Sequence, residues 1–241
     1  MTGPLVGAER EETMLFDPIR ATLVATEDEL ADLAARAARG DEGLHPTVAG
    51  IVAVVGAPAR SVVIERFDQG LVAPLFVAFD GKGRAVVTEG AGDVDGRAAL
   101  SMTATHLELL PALLSQALRL HAGLPSASRR PLEATAGQIE AAWAGAAGMA
   151  GAAGVAEPGL AAVLAAMTHG WRASGSWAGA EIDRSATVMS AGAEGLWHVD
   201  RGPADHGPVP IGPDDRIELR PVTVAEARAL LGDVVTGRRS C

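Results

Sequence analysis

The sequence predicts an α+β fold in which two similar β-meander-plus-helix halves form one twisted antiparallel sheet with helices packed on it. Two observations predict it. The stretch Leu75-Phe76-Val77-Ala78-Phe79, the turn Asp80-Gly81-Lys82-Gly83 and Arg84-Ala85-Val86-Val87 read as a hairpin. Gly96-Arg97-Ala98-Ala99-Leu100 and a leucine-rich helix opening Thr105-His106-Leu107-Glu108 follow. The same order returns as Ala186-Thr187-Val188-Met189, a turn over Ala191-Gly192-Ala193-Glu194-Gly195, Leu196-Trp197-His198-Val199, then Arg216-Ile217-Glu218-Leu219 and a helix opening Thr223-Val224-Ala225-Glu226. A recurrence about 115–120 residues apart is the signature of a duplicated unit. The second observation is Thr-x-x-Glu before three helical apolar periods, at Thr26, Thr105 and Thr223. In such a box the threonine oxygen and the glutamate carboxylate each accept from an otherwise orphaned backbone N–H.

Taken in order, residues 1–14 are polar, and 20–24 form a short strand. Leu30, Leu33, Ala34 and Ala37 give the first helix its apolar side, and Pro46 opens a second with Val48, Ile51, Val52 and Val55 as its stripe. Residues 61–67 and 74–79 are rich in β-branched and aromatic side chains, as strands are. With 84–87 and 97–102 they make an antiparallel meander, which should turn Phe76, Ala78 and Val86 to the core in one half, and Val188 and Trp197 in the other. Pro111 lies deep for a helix starting at Thr105, so a start at Leu110 is the alternative.

The middle differs in character. Residues 131–143 read as a helix with Leu132, Ile139 and Trp143 on its apolar side, and 144–155 as an Ala/Gly connector. Glycine costs a helix interior about 1 kcal/mol per residue. Residues 158–170 read as a better helix, with Pro158 at its start and Gly170 at its end. The expected organisation is a single domain over 1–241. Its halves, 15–124 and 172–236, are joined by an Ala/Gly-rich helical segment, 125–171.

Composition narrows the function. The net charge is −10, with 30 acids against 20 bases. A duplex binder needs a clustered basic face to displace counterions, so nucleic acid is not an expected partner. Cys241 is the single cysteine, which leaves no disulfide framework and no thiolate zinc site. The acidic start, with Glu9, Glu11 and Glu12, lacks the order of a secretory signal. The Ala/Gly stretch 141–166 gains too little from lipid to be a span. A soluble, cytoplasmic protein without direct membrane insertion is expected.

No catalytic constellation stands out. Ser174-Gly175-Ser176-Trp177-Ala178-Gly179 lacks the spacing of a nucleophile elbow. The glycine turns at Gly81/Gly83 and Gly192/Gly195 do not end in the Lys-Ser/Thr of a phosphate cradle. The densest polar cluster is His198-Val199-Asp200 with Asp205-His206. It supports an alternative reading, a metal or small-molecule site or a hydrolase built on that loop, against the plainer one of a half-exposed strand and a polar loop. No catalytic residue, cofactor or metal is otherwise expected. A third reading is structural self-association through a sheet edge or the Ala-rich helix, giving a homo-oligomer. Trp143 and Trp171 flank the weakly patterned middle, either as anchors of a helical layer or as part of a partner surface.

The order of elements resembles the EspG family, the cytosolic chaperones of actinobacterial ESX (type VII) secretion systems. The resemblance rests on the Thr-x-x-Glu-Leu box near the start, the helix opened by Pro46, the Ala-rich helical middle and the closing Arg216-Ile217-Glu218-Leu219-Arg220-Pro221-Val222-Thr223 with its last helix. It implies a non-enzymatic protein that binds helical PE/PPE- or WXG-type substrates and keeps them soluble. The residues read as a partner surface are Leu160, Leu164, Met167 and Trp171, which border a small-residue face of Ala161, Ala162, Ala165 and Ala166.

Overall fold

Local signals and strand register build the molecule from two runs of the same elements. The computed structural model describes residues 14–68, 71–94, 96–125, 130–143, 157–200 and 212–237. The first run is β1 (Leu15–Asp17), β2 (Thr22–Thr26), α1 (Glu27–Ala38), α2 (Pro46–Gly56), β3 (Arg60–Asp68), β4 (Leu71–Phe79), β5 (Arg84–Val94), β6 (Arg97–His106) and α3 (Leu110–Ala117). The second is β7 (Leu132–Thr135), α4 (Ala136–Trp143), α5 (Pro158–Ala165), β8 (His169–Trp177), β9 (Ile182–Ser190), β10 (Leu196–Asp200), β11 (Arg216–Val222) and α6 (Val224–Thr236). Apart from β1, the order of strand, two helices, four strands and helix occurs twice among the described residues.

This lengthens the expected repeat. The stretch read as a joining segment, 125–171, supplies β7, α4, α5 and the start of β8, so the second run begins near Leu132 rather than at 172. Residues 131–143 are a strand and a helix, not one helix. The Ala/Gly tract 144–155 and the polar residues 1–13 lie outside the described residues.

The capping boxes at Thr26 and Thr223 form in full. Each threonine oxygen accepts from the backbone N–H three residues on, and the glutamate carboxylate accepts from the threonine N–H at 2.7 Å. Thr105 does not cap a helix. It belongs to β6, and α3 begins at Leu110 with Pro111 in its first turn. The third working box is Thr135 with Gln138, at the start of α4.

All strand pairs are antiparallel, and the eleven described strands form one sheet in the order β1-β2-β6-β5-β4-β3-β8-β9-β10-β11-β7. The edges are β1 and β7, only three and four residues long. Short edges limit further strand addition. At the centre β3 and β8 pair along their whole length, Arg60 opposite Trp177 and Asp68 opposite His169.

Side-chain alternation then sorts the core into layers. Ile64, Leu75, Val77, Trp171 and Val188 point to one face, under Leu110 and Leu114 of α3 and Leu231 and Val234 of α6. The opposite face is covered in two separate places. Leu33, Val48 and Ile51 of α1 and α2 pack on Leu23, Val86 and Met102. Ile139, Leu160 and Leu164 of α4 and α5 pack on Met189, Trp197 and Leu219. In α2 the buried stripe includes Val54, while Val55, expected in it, is exposed.

One buried cation ties the last helix to the central ladder. Arg60, 2% exposed, forks onto Asp183 with two bonds of 2.9 Å. It also donates to the carbonyls of Val234 at 2.6 Å and Val235 at 3.0 Å, which have no partner inside α6, and lies 5.0 Å from the Trp177 ring centre. Gly175 is required here, since a Cβ would overlap Arg60 Nη2 and stand 2.8 Å from the Val234 carbonyl oxygen. Gly237 ends α6 in the left-handed region at φ 67°, where glycine is favoured.

Arg60→Ala should lower stability by about 3 kcal/mol, because it leaves a partly buried carboxylate and two carbonyls unpaired. Arg60→Lys should lose most of that too, since an ammonium cannot fork. The Asp183 carboxyl feels burial, which raises its pKa, but the Arg60 hydrogen bonds and charge outweigh it and hold the pKa below 3.8. A depressed carboxyl stabilises the fold above its unfolded pKa of about 3.9, and that contribution fades as pH falls through the folded value. Urea midpoints measured through the acid range should therefore fall less steeply in Asp183→Asn than in the parent.

Candidate partner surface

Because the two helix pairs cover only the outer parts of their face, the sheet between them carries no helix among the described residues. Its floor follows from register. One cross-strand row runs Phe76, Val63, Ser174, Ser185, and the next runs Pro74, Glu65, Arg172, Thr187. Phe76, expected in the core, is 46% exposed, and Val63 beside it is 39% exposed. The expectation failed by one place in the alternation. Leu75, Val77 and Phe79 fill the α3/α6 side, which turns Phe76 the other way. Ala78, Val86, Val188 and Trp197 are inside as expected, Ala78 only partly.

Val72, 52% exposed, extends the apolar part of this strip along β4, while Ile182, 38% exposed, stands apart on β9 beside Ser176. Contiguous exposed apolar surface on a sheet floor marks an interaction site more often than a scattered leucine does. The second-half side is polar. The Arg172 guanidinium sits 2.5 Å from Glu140 and 3.7 Å from Glu65, with its carbon 5.3 Å from the Trp143 ring centre. Trp143 in turn packs on Phe67 at 5.3 Å. The floor thus joins an aromatic and aliphatic half to a half rimmed by charge.

The residues expected to form a partner surface are placed elsewhere. Leu160 and Leu164 are 3% and 1% exposed, turned onto Met189 and Trp197, and Met167 packs half-buried against the same cluster. Trp171 is 2% exposed in β8 and faces the other side of the sheet, against α3 and α6. The correction has a physical reason. The side of α5 turned to the sheet is Leu160, Val163 and Leu164, which leaves the alanines at its flanks and on its outer side. Gly170, expected to end that helix, lies in β8, where a Cβ would come 2.7 Å from the Val188 carbonyl oxygen. Of the two readings of Trp143 and Trp171, both tryptophans are core anchors.

The alternative loop site divides at the boundary of the described residues. His198 and Asp200 lie in β10, while Asp205 and His206 fall outside. Burial pushes the His198 imidazole below its usual pKa, with Asp200 pulling it up and Arg220 pushing it down. The Asp200 carboxylate meets Arg220 Nε at 3.0 Å. Among the described residues no three metal-ligating side chains come together. No described helix is long and apolar enough to cross a membrane. Ser174 and Ser176 sit in β8, not on a nucleophile turn.

No protein-family profile matches the sequence, and no curated protein matches it either. Among solved structures, the chain is similar to the Mycobacterium tuberculosis type VII secretion system chaperone EspG5, determined in complex with a PE25–PPE41 dimer. The match has a TM-score of 0.54 and covers 89% of this chain and 95% of that one, at 11% sequence identity. The fold is EspG-like. At this identity the likeness carries backbone architecture and no individual side chain.

Two substitutions separate floor from core. Phe76→Ser should change stability by no more than about 0.5 kcal/mol, as exposed positions do. Leu164→Asp buries an unpaired carboxylate and should prevent folding. Thermal melts of the two purified variants, or the failure to obtain the second, check the assignment.

Proposed function

We propose that this protein is a non-enzymatic chaperone or adaptor that binds helical substrates of the PE/PPE type and keeps them soluble for a type VII secretion machinery. The observation that carries the reading is the EspG-like architecture over nearly the whole chain, shared with a chaperone solved on a PE25–PPE41 dimer. The sheet floor, uncovered among the described residues, is the part of the surface suited to the task. A helical tip carrying apolar side chains would lay them on Phe76, Val63 and Val72 and keep its polar flank beside Arg172, Glu65 and Glu140. Burying such a strip supplies the affinity. The charged rim sets orientation more than strength. Action in the cytosol, before the substrate is exported, belongs to the same proposal.

The test is co-expression with the PE–PPE pair encoded nearest to this gene, followed by size exclusion. A stable complex is expected, with Phe76→Asp weakening it more than about tenfold while the melting temperature moves only a few degrees. Failure of the parent to co-elute with PE–PPE pairs, or a complex indifferent to Phe76→Asp, would falsify the reading. Co-elution with a WXG-type pair in place of PE–PPE would overturn the substrate class.

A further inference from the structure

The central strands begin at Arg60 and His169, which hold corresponding places at opposite ends of the β3–β8 ladder. At the first end the Arg60 guanidinium fills the space beneath the end of α6. At the second the residue is a smaller imidazole, and beneath the end of α3 lies a cavity of about 290 Å³. Its walls include Arg66, Asp68, Leu71, Ala117, Leu118 and His169. That volume is at the lower end of small-molecule sites.

The corner is also short of acceptors. Four buried side-chain nitrogens lack a hydrogen-bond partner among the described residues, and three of them belong to this end of the ladder: Arg66 Nε, His169 Nε2 and Trp171 Nε1. Trp171 is directly opposite Arg66, and His169 directly opposite Asp68. The arginine and indole nitrogens are obligate donors. The Thr168 hydroxyl lies 3.0 Å from His169 Nδ1 and 3.4 Å from the Ser190 carbonyl oxygen, and in the tautomer whose Nδ1 accepts, His169 Nε2–H is a third donor. Burial first, then the charge of Arg119, lowers the His169 pKa, with Asp68 opposing them. Of the nearby acids, Asp68 is held by Arg119 at 2.9 Å and Glu89 lies 3.4 Å from Arg66 Nη2, which leaves Arg66 Nε without an acceptor among the described residues. Native interiors rarely leave donors unpaired, and among the described residues Arg66 Nε–H and His169 Nε2–H, both on the cavity wall, find no acceptor.

We propose that this cavity binds a small organic carboxylate, whose oxygens accept from Arg66 Nε–H, His169 Nε2–H and the Arg119 guanidinium while its apolar body lies against Leu71, Ala117 and Leu118. The site is on the α3/α6 face, opposite the floor assigned to the protein partner, so the two assignments stand or fall separately.

The experiment uses the full chain labelled with ¹⁵N, with benzoate as the probe and benzamide as its uncharged match. Benzoate should shift the Arg66 Nε–H and His169 ring signals in a saturable way, and benzamide should not. Arg66→Gln should weaken benzoate binding by about tenfold or more, as the loss of a charged hydrogen bond does. Ala73→Phe, an exposed position on the cavity wall, should block it without loss of the fold. Equal shifts with benzamide would overturn the carboxylate assignment. So would binding that survives both substitutions, or N–H signals that stay still and exchange with water at every benzoate concentration.

Discussion

The antiparallel ladder between Arg60–Asp68 and His169–Trp177 is the constraint on which the rest of the structure depends. Each half alone would end in a long strand with one edge unpaired. Joining those two edges satisfies both sets of backbone groups and makes a single sheet whose remaining edges are short. It also brings α3 and α6 side by side, where one apolar layer of leucines and valines serves both halves. Arg60 adds the only described link in which a central-strand side chain caps the last helix, at the same ladder end as Gly175, whose missing side chain makes room for it.

The same pairing creates the open floor. Helices α1 and α2 lie over β2, β5 and β6, and α4 and α5 over β7, β10 and β11, so each pair covers the strands furthest from the ladder. What remains between them is the middle of the sheet, with one side chain in two facing out. Its two sides have diverged. Where the first half presents Val63 and Phe76, the corresponding ladder places of the second half hold Arg172 and Thr187. A duplicated architecture thereby yields a surface with direction.

Much of the frame was legible in the sequence, for local reasons. Alternation and glycine turns marked both hairpins, and the boxes at Thr26 and Thr223 marked two helix starts. Thr105 misled because the same spacing arises by chance at a strand end, while Thr135 and Gln138 went unread. The central strand β8 was not legible, since Gly170, Ser174, Gly175 and Ser176 weaken every strand signal. Those residues are small because of what lies against them, the Val188 carbonyl at Gly170 and the Arg60 guanidinium at Gly175. Such needs are tertiary and leave no period. The residues read as a partner surface lie in the core for a related reason. An alanine-rich helix reads as an open groove, yet its few large side chains are the ones that turn to the sheet, and the alanines are left outside. Phe76 shows the converse, since an aromatic in an apolar run faces outward once its neighbours have filled the core.

The central claim is that two like halves are zipped into one cooperative sheet through β3 and β8. Amide hydrogen exchange of the free protein, read by peptide mass spectrometry, tests it most directly. Residues 60–68 and 169–177 should exchange together, among the slowest in the chain, with the free energy of global unfolding. Exchange of either strand well ahead of the outer strands of its own half, with the halves opening independently, would contradict it.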